Sequence, residues 1–234
     1  MAALELLELY PSPWSERVRW ALEAKGLRYT RRPYQPIAGE AELVRSTGQR
    51  TVPVLFVDGQ IVGDSNAALD WLESAHPTPP LLPAAPLARA QVRALEIMAT
   101  ETLAPAARLV MIGHFKQIGL QPLADHFAQK YGWDERAEAD ADRLLRTLLL
   151  DLASAVSDAP YLVGPGFTRA DLTVACMLTP ALGAPPDELF ELDAGYRSMF
   201  GVPFAGDARL APLRAWRDEI YRRHRGGRVL PAAA

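Results

Sequence analysis

The chain has a single cysteine, Cys176, among 234 residues. Without a second thiol it forms no intramolecular disulfide, no two-cysteine redox motif and no cysteine-based metal cluster. Histidine is almost as scarce: His76, His114, His126 and His224 share no ligand-like spacing, so no metal is expected. No apolar run reaches the ~18 residues of a membrane-spanning helix. The opening MAALELLELY carries acidic side chains where a secretory signal would carry basic ones. The expectation is a cytoplasmic protein with no membrane partner. An excess of either charge is also missing. The 25 Lys and Arg against 28 Asp and Glu leave a net charge of -3, with no basic surplus to draw the molecule onto nucleic acid. Internal repeats and low-complexity segments are absent as well.

What the chain does have is apolar material, 49% hydrophobic against 23% charged residues, enough to bury the cores of one or two domains. Its two halves differ in rhythm. From Leu4 to about Ser74, short β-like runs (LELLEL, LRYTRRPY, VPVLFV, QIVG) alternate with helical patterns, and Asp58-Gly59 between the last two runs signals a two-residue hairpin. The order is β-α-β-α-β-β-α. Residues 76–86 are dense in proline, at Pro77, Pro79, Pro80, Pro83 and Pro86, which neither a helix nor a central strand tolerates. Beyond them the pattern is helical from Leu87 to about Phe115, Glu135 to Val156, Arg169 to Leu178 and Leu210 to Arg223, with a Pro- and Gly-punctuated loop, PPDELFELDAGYRSMFGVPFAGD, before the last. The reading is an α/β domain over residues 1–77, a linker over 78–86 and an all-α domain over 87–234.

Three places in the first half carry candidate chemistry. In YPSPWSERVRW, Ser12 stands before Pro13 at the mouth of a helix. Capping accounts for it, but the same geometry aims a hydroxyl and free helix N–H groups at one point in front of the first strand. In TVP, Pro53 is either a trans residue opening a strand or a cis one that turns the Val52 backbone toward a peptide-like ligand. At Asp64-Ser65, Ser65 reads as an N-cap with Asp64 just outside the helix; the helix terminus would accept a carboxylate and Asp64 an ammonium, together an α-amino acid head group.

YPSPWSERVRWALEAKGL followed by GQRTVPVLFVDGQIVGDSNAALDWLE resembles the thioredoxin-like N-terminal domain of the glutathione transferases, and the linker and helical half continue the likeness along nearly the whole chain. GFTRADLTVACML is similar to the family's structural capping box, with Thr168 and Asp171 as the reciprocal caps. GQRTVPVLFVDGQIVG is also similar to the glutaredoxins, whose Cys-Pro-aromatic-Cys site falls where this chain has SPWS. With both cysteines replaced by serine, glutaredoxin-like disulfide exchange is not expected.

The resemblance implies glutathione as co-substrate and Ser12 as the catalytic residue, a hydrogen-bond donor to the glutathione sulfur, with Ser15 a second candidate. It implies that Val52 meets the cysteinyl backbone, that Asp64 and Ser65 meet the γ-glutamyl end, and that Arg50 meets the glycine carboxylate. Trp14, and with it Met111, His114 and Phe115, are candidates for the electrophile pocket. The implied activity is conjugation of glutathione to a small electrophile by a homodimer. The alternatives are glutathione-dependent isomerisation, dehalogenation or ether cleavage, and a non-enzymatic binding or regulatory role. Thr47-Gly48-Gln49-Arg50 departs from the commoner Asn-Pro-x-Gly, and Asp64 stands where Glu is more usual. Cys176 reads as a small core residue, and YRRHRGGR as a solvated helix end.

Overall fold

The structure is a computed structural model that describes residues 2–200 and 204–225. The chain divides between Leu82 and Pro83 into two compact units. The N-terminal unit runs β1 (Leu4–Glu8), α1 (Pro13–Ala24), β2 (Thr30–Pro33), α2 (Glu40–Thr47), β3 (Val54–Val57), β4 (Gln60–Gly63) and α3 (Ser65–Ala75). Its four strands lie in the order β2-β1-β3-β4. β1 pairs parallel with β2, as a helical crossover requires, and antiparallel with β3, which pairs antiparallel with β4. The last pairing follows from Asp58-Gly59: both residues have positive φ, 49° and 78°, the backbone of a primed hairpin turn that Gly adopts freely and Asp tolerates.

β1 is central and covered on both faces, so Leu4, Leu6, Leu7 and Glu8 are all buried. Leu7 packs with Leu43 of α2 and Val54 of β3, while Tyr34, Val52 and Phe56 close that cluster. The period of two sends Leu6 and Glu8 to the opposite face, where Glu8 meets Arg19 of α1. Lys25, at the C-terminal end of α1, is buried; its ammonium pairs with Glu73 of α3 at 2.8 Å and donates to the carbonyls of His76 and Pro79. The proline-rich stretch is thereby fastened at its start.

In the C-terminal unit α4 (Pro86–Met98) runs through a π-helical turn (Ala99–Leu103) into α5 (Ala104–Gln117). Then come α6 (Gln121–Tyr131), α7 (Glu135–Ala155), α8 (Arg169–Met177), the short α9 (Thr179–Leu182) and α10 (Ala194–Arg197), and α11 (Ala211–Ile220), which ends in a π-helical turn over Tyr221–Arg225. Among the described residues of this unit every regular element is helical. α6 lies in a segment for which the sequence reading expects no element.

α8 is buried along its whole length. Its start is the expected capping box. Asp171 accepts from the Thr168 N–H at 2.8 Å, from the Thr168 hydroxyl at 3.0 Å and from the Leu162 N–H at 2.7 Å, and Thr168 Oγ1 accepts from the Ala170 N–H. Glu96 of α4 accepts from Arg169 Nε at 3.0 Å, so the buried cation is paired. α5 packs on α7, and a Cβ on Gly113 would lie 2.2 Å from the Glu138 carboxylate oxygens, so a larger residue there requires that side chain to swing aside. Cys176 is buried. Of YRRHRGGR, exposed Arg222 and Arg223 pair with Glu219 while Arg225 is buried; residues 226–228 lie outside the described residues, as do 201–203 of the punctuated loop.

Candidate active site

The strand register gathers the candidates at one end of the sheet. Leu7 of β1 pairs with Val54, so the loop that leaves β1 toward Ser12 and the segment that enters β3 through Val52 share an edge. Leu55 of β3 pairs with Gly63, so Asp64 and Ser65, which follow β4 directly, emerge there too.

At the first of these loops the Ser12 N–H donates to the Leu9 carbonyl at 2.9 Å, and the Ser12 carbonyl accepts the first helical bond, from Glu16, also at 2.9 Å. With φ -73° and ψ 126° Ser12 holds the N-cap position, and Pro13 follows at the first helical residue. Its half-buried side chain makes no capping hydrogen bond. Capping therefore does not use the hydroxyl, which corrects the purely structural reading of Ser12. Ser15 differs: it is fully buried and its Oγ accepts from the Leu9 N–H at 3.3 Å, fastening the loop from beneath. Trp14, between them, is half-buried.

A buried ion cluster fixes the same loop. Arg19 pairs with Glu8 and with Glu16, its Nε 2.9 Å from Glu16 Oε2, and its other terminal nitrogen donates to the Tyr10 carbonyl at 2.8 Å. Arg31 binds the second oxygen of Glu8. Burial by itself would lower the Arg19 pKa, but Glu16 and Glu8 outweigh it and the net shift is upward. Removing one partner of such a set costs ~3–5 kcal/mol, because it strands a buried charge. Two residues before Ser12, the backbone is clamped.

Val52–Pro53 is cis. Val52 is half-buried and stands outside the ladder, whose end rung pairs Leu7 with Val54. Arg50 is exposed, beyond the α2 cap at Gly48. At α3 the expected capping changes hands. Asp64 is the N-cap: its Oδ1 accepts from the Asn66 and Ala67 N–H groups at 2.9 and 3.0 Å, and Ser65 is the first helical residue. The carboxylate's charge also suits the positive end of the helix dipole. Both bonds go to Oδ1, so Oδ2 keeps its accepting capacity on an exposed side chain.

Arg17 is a residue that sequence reasoning missed. It is fully buried, and one terminal nitrogen donates to Asn66 Oδ1 at 2.8 Å and to Ser65 Oγ at 3.4 Å. It ties the first turn of α3 to α1, five residues past Ser12. The signal was present in WSERVRW, where two arginines flank Val18 just before the apolar run Trp20, Ala21 and Leu22.

Residues 11–75 match the family model of the glutathione S-transferase N-terminal domain. Over that stretch the chain carries a glutathione S-transferase N-terminal domain. A probable maleylacetoacetate isomerase of Caenorhabditis elegans is 33% identical over 109 residues, 46% of this chain and 51% of that protein, so the chain spans about half the length of this relative. The maleylacetoacetate isomerase of Rattus norvegicus is 29% identical over 175 residues, 73% of this chain and 74% of that protein. The theta class glutathione S-transferase of Xanthomonas axonopodis pv. citri, crystallised with glutathione bound, superposes with a TM-score of 0.67 at 21% identity, covering 100% of both chains. At that identity the likeness is one of fold: a thioredoxin-like unit followed by a helical one, as the sequence leads one to expect.

Proposed function

We propose that this protein belongs to the glutathione S-transferase family, binds reduced glutathione at the sheet end described above and uses its thiolate to attack a small electrophile. The observation that carries this reading is the Ser12 hydroxyl, half-buried at the N-terminus of α1 and not engaged in capping. A thiol of pKa ~8.5 is only a few per cent ionised at neutral pH, and lowering it by two units takes ~2.7 kcal/mol of preferential stabilisation. A hydrogen bond to a charged group contributes ~1.5–3 kcal/mol and the helix terminus ~0.3–1 kcal/mol. The Ser12 hydroxyl thus supplies most of the stabilisation, and the helix supplies the remainder.

The other contacts divide the tripeptide. The Val52 backbone pairs with the cysteinyl residue, Asp64 Oδ2 takes the γ-glutamyl ammonium, the first turn of α3 at Ser65 takes its carboxylate, and Arg50 takes the glycine carboxylate. Trp14 flanks the electrophile. No metal enters the scheme. A homodimer and a cytoplasmic location belong to the same proposal, and exposed Leu87 and Ile97 of α4 offer apolar surface that a second copy would cover.

The relatives named as maleylacetoacetate isomerases favour a second reading of the same site. There the thiolate adds to a carbon–carbon double bond, the resulting single bond rotates, and expulsion of the thiolate restores the alkene in its other geometry, so glutathione is regenerated. One experiment separates the readings. The protein is supplied with glutathione and, in turn, 1-chloro-2,4-dinitrobenzene and maleylacetoacetate, while free thiol and product are followed together. Thiol loss matching product marks conjugation; a converted alkene at constant thiol marks isomerisation. Bound glutathione with neither would leave a binding protein and overturn the proposal.

A further inference from the structure

The C-terminal unit contains a cavity of about 460 Å³, within the size range of small-molecule sites, formed by the end of α7 and the loop after it on one side and by α11 with its π-helical extension on the other. None of its lining residues belongs to the candidate active site. Val156 and Ile220 give it a buried apolar floor. Trp216 donates its indole N–H to the Pro160 carbonyl at 3.1 Å, which fixes the ring in the cavity lining. Tyr161 is likewise fixed, its hydroxyl 3.0 Å from His224 Nε2.

The charges around this cavity are not equivalent. Glu219 is bound by both Arg222 and Arg223, so the one cationic lining residue, Arg223, already has its counter-ion. Asp158 also lines the cavity and has no hydrogen-bond or ion-pair partner among the described residues. An apolar floor, two immobilised aromatic rings and one uncompensated carboxylate form the complement of an aromatic ring carrying an ammonium group. The carboxylate pairs with the cation and the aromatic rings attract it further.

We propose that this cavity is a second binding site, for a small aromatic amine. Occupancy is independent of glutathione, because the lining shares no residue with the glutathione contacts.

Tryptamine, neutral tryptophol and anionic indole-3-propionate share one ring system and test the assignment by calorimetry on the full chain. Tryptamine should bind the unmodified protein more tightly than tryptophol, and indole-3-propionate should bind least. Asp158→Asn should weaken tryptamine roughly fivefold, the upper end for a solvent-accessible ion pair, and bring it to the level of tryptophol. Ala215→Trp, at an exposed lining position of α11, should fill the cavity and remove binding of all three. Raising the salt should weaken tryptamine and leave tryptophol unchanged, a measurement that needs no variant. Saturating glutathione should displace none of them. Equal affinity for tryptamine and tryptophol overturns the proposal, as does tighter binding of the anion, which would assign the cavity to Arg223. Displacement by glutathione, or indifference to both substitutions, would place the amine elsewhere.

Discussion

Asp64 is both the cap of α3 and the proposed partner of the glutathione ammonium, so a single substitution to alanine mixes two losses. Asp64→Ala removes the bonds to the Asn66 and Ala67 N–H groups and costs about 0.5–2 kcal/mol of stability, and Ser65, already inside the helix, is not placed to replace it. Asp64→Asn separates the roles. The amide oxygen caps nearly as well as a carboxylate, so the melting temperature should stay close to that of the parent, while the charge is gone. A hydrogen bond to a charged group contributes ~1.5–3 kcal/mol. Asp64 is exposed, so solvent screening puts the loss at the lower end, about 1.5 kcal/mol or roughly tenfold in affinity. Calorimetry with glutathione and with its analogue lacking the γ-glutamyl amino group completes a cycle. The parent should lose affinity for the deaminated analogue, and Asp64→Asn should bind both ligands alike. If folded Asp64→Asn discriminates between them as strongly as the parent, the ammonium lies elsewhere and Asp64 is only a cap.

Ser12→Ala should keep glutathione affinity, lower turnover, and raise the pKa of the bound thiol as read from thiolate absorbance; an unchanged thiol pKa would move the donor role to Ser15. Asp171→Ala removes the acceptor of three hydrogen bonds at a buried helix start. It should cost about 2–4 kcal/mol, visible as a lower melting temperature with glutathione affinity unchanged in the folded fraction; a stable variant that has lost only activity would contradict the structural role. The His224 pKa is lowered, by burial first and by the Arg223 charge second. Below its ordinary value the unfolded chain therefore binds the proton more readily than the folded one, and stability should fall as pH drops from about 6.5 through the folded value. Melting temperatures between pH 7.5 and 5.5 should show a shallower acid slope for His224→Gln than for the parent, and parallel slopes would refute the assignment.

The N-terminal unit was legible because its signals are local. Asp58-Gly59 specifies a hairpin by backbone preference alone, and alternation of short apolar runs with helical patterns specifies a mixed sheet. Legibility failed where a decision depended on exact backbone and side-chain geometry, or where the apolar pattern was weak. Whether Asp64 or Ser65 caps α3 turns on the backbone geometry at Gly63–Asp64, since both residue types cap well. Whether the Ser12 hydroxyl is engaged depends on how its side chain is set against the first turn of α1, where no cap hydrogen bond forms. α6 escaped despite local cues: Pro122 sits at its first turn and Gly132 ends it in a left-handed conformation, but its exposed, weakly apolar sequence lacked the periodicity that marked α7.

The buried arginines of α1 explain how a site built from three separate loops holds one geometry. Arg19 reaches back to Glu8 and to the Tyr10 carbonyl, so it fixes the segment that delivers Ser12. Arg17 reaches across to Ser65 and Asn66, so it fixes the turn that delivers Asp64. Two residues on one helix thus set the positions of the proposed thiolate donor and the proposed ammonium acceptor relative to the same sheet edge. A long polar side chain can do this where an apolar one cannot, because its fixed fork bonds named backbone and side-chain oxygens and does not merely fill volume. Burying them has little net effect on stability, since the desolvation of a guanidinium offsets most of the attraction to its partners. Their contribution is therefore to the precision of the site, and it lies in residues that touch neither glutathione nor the electrophile in the proposed scheme.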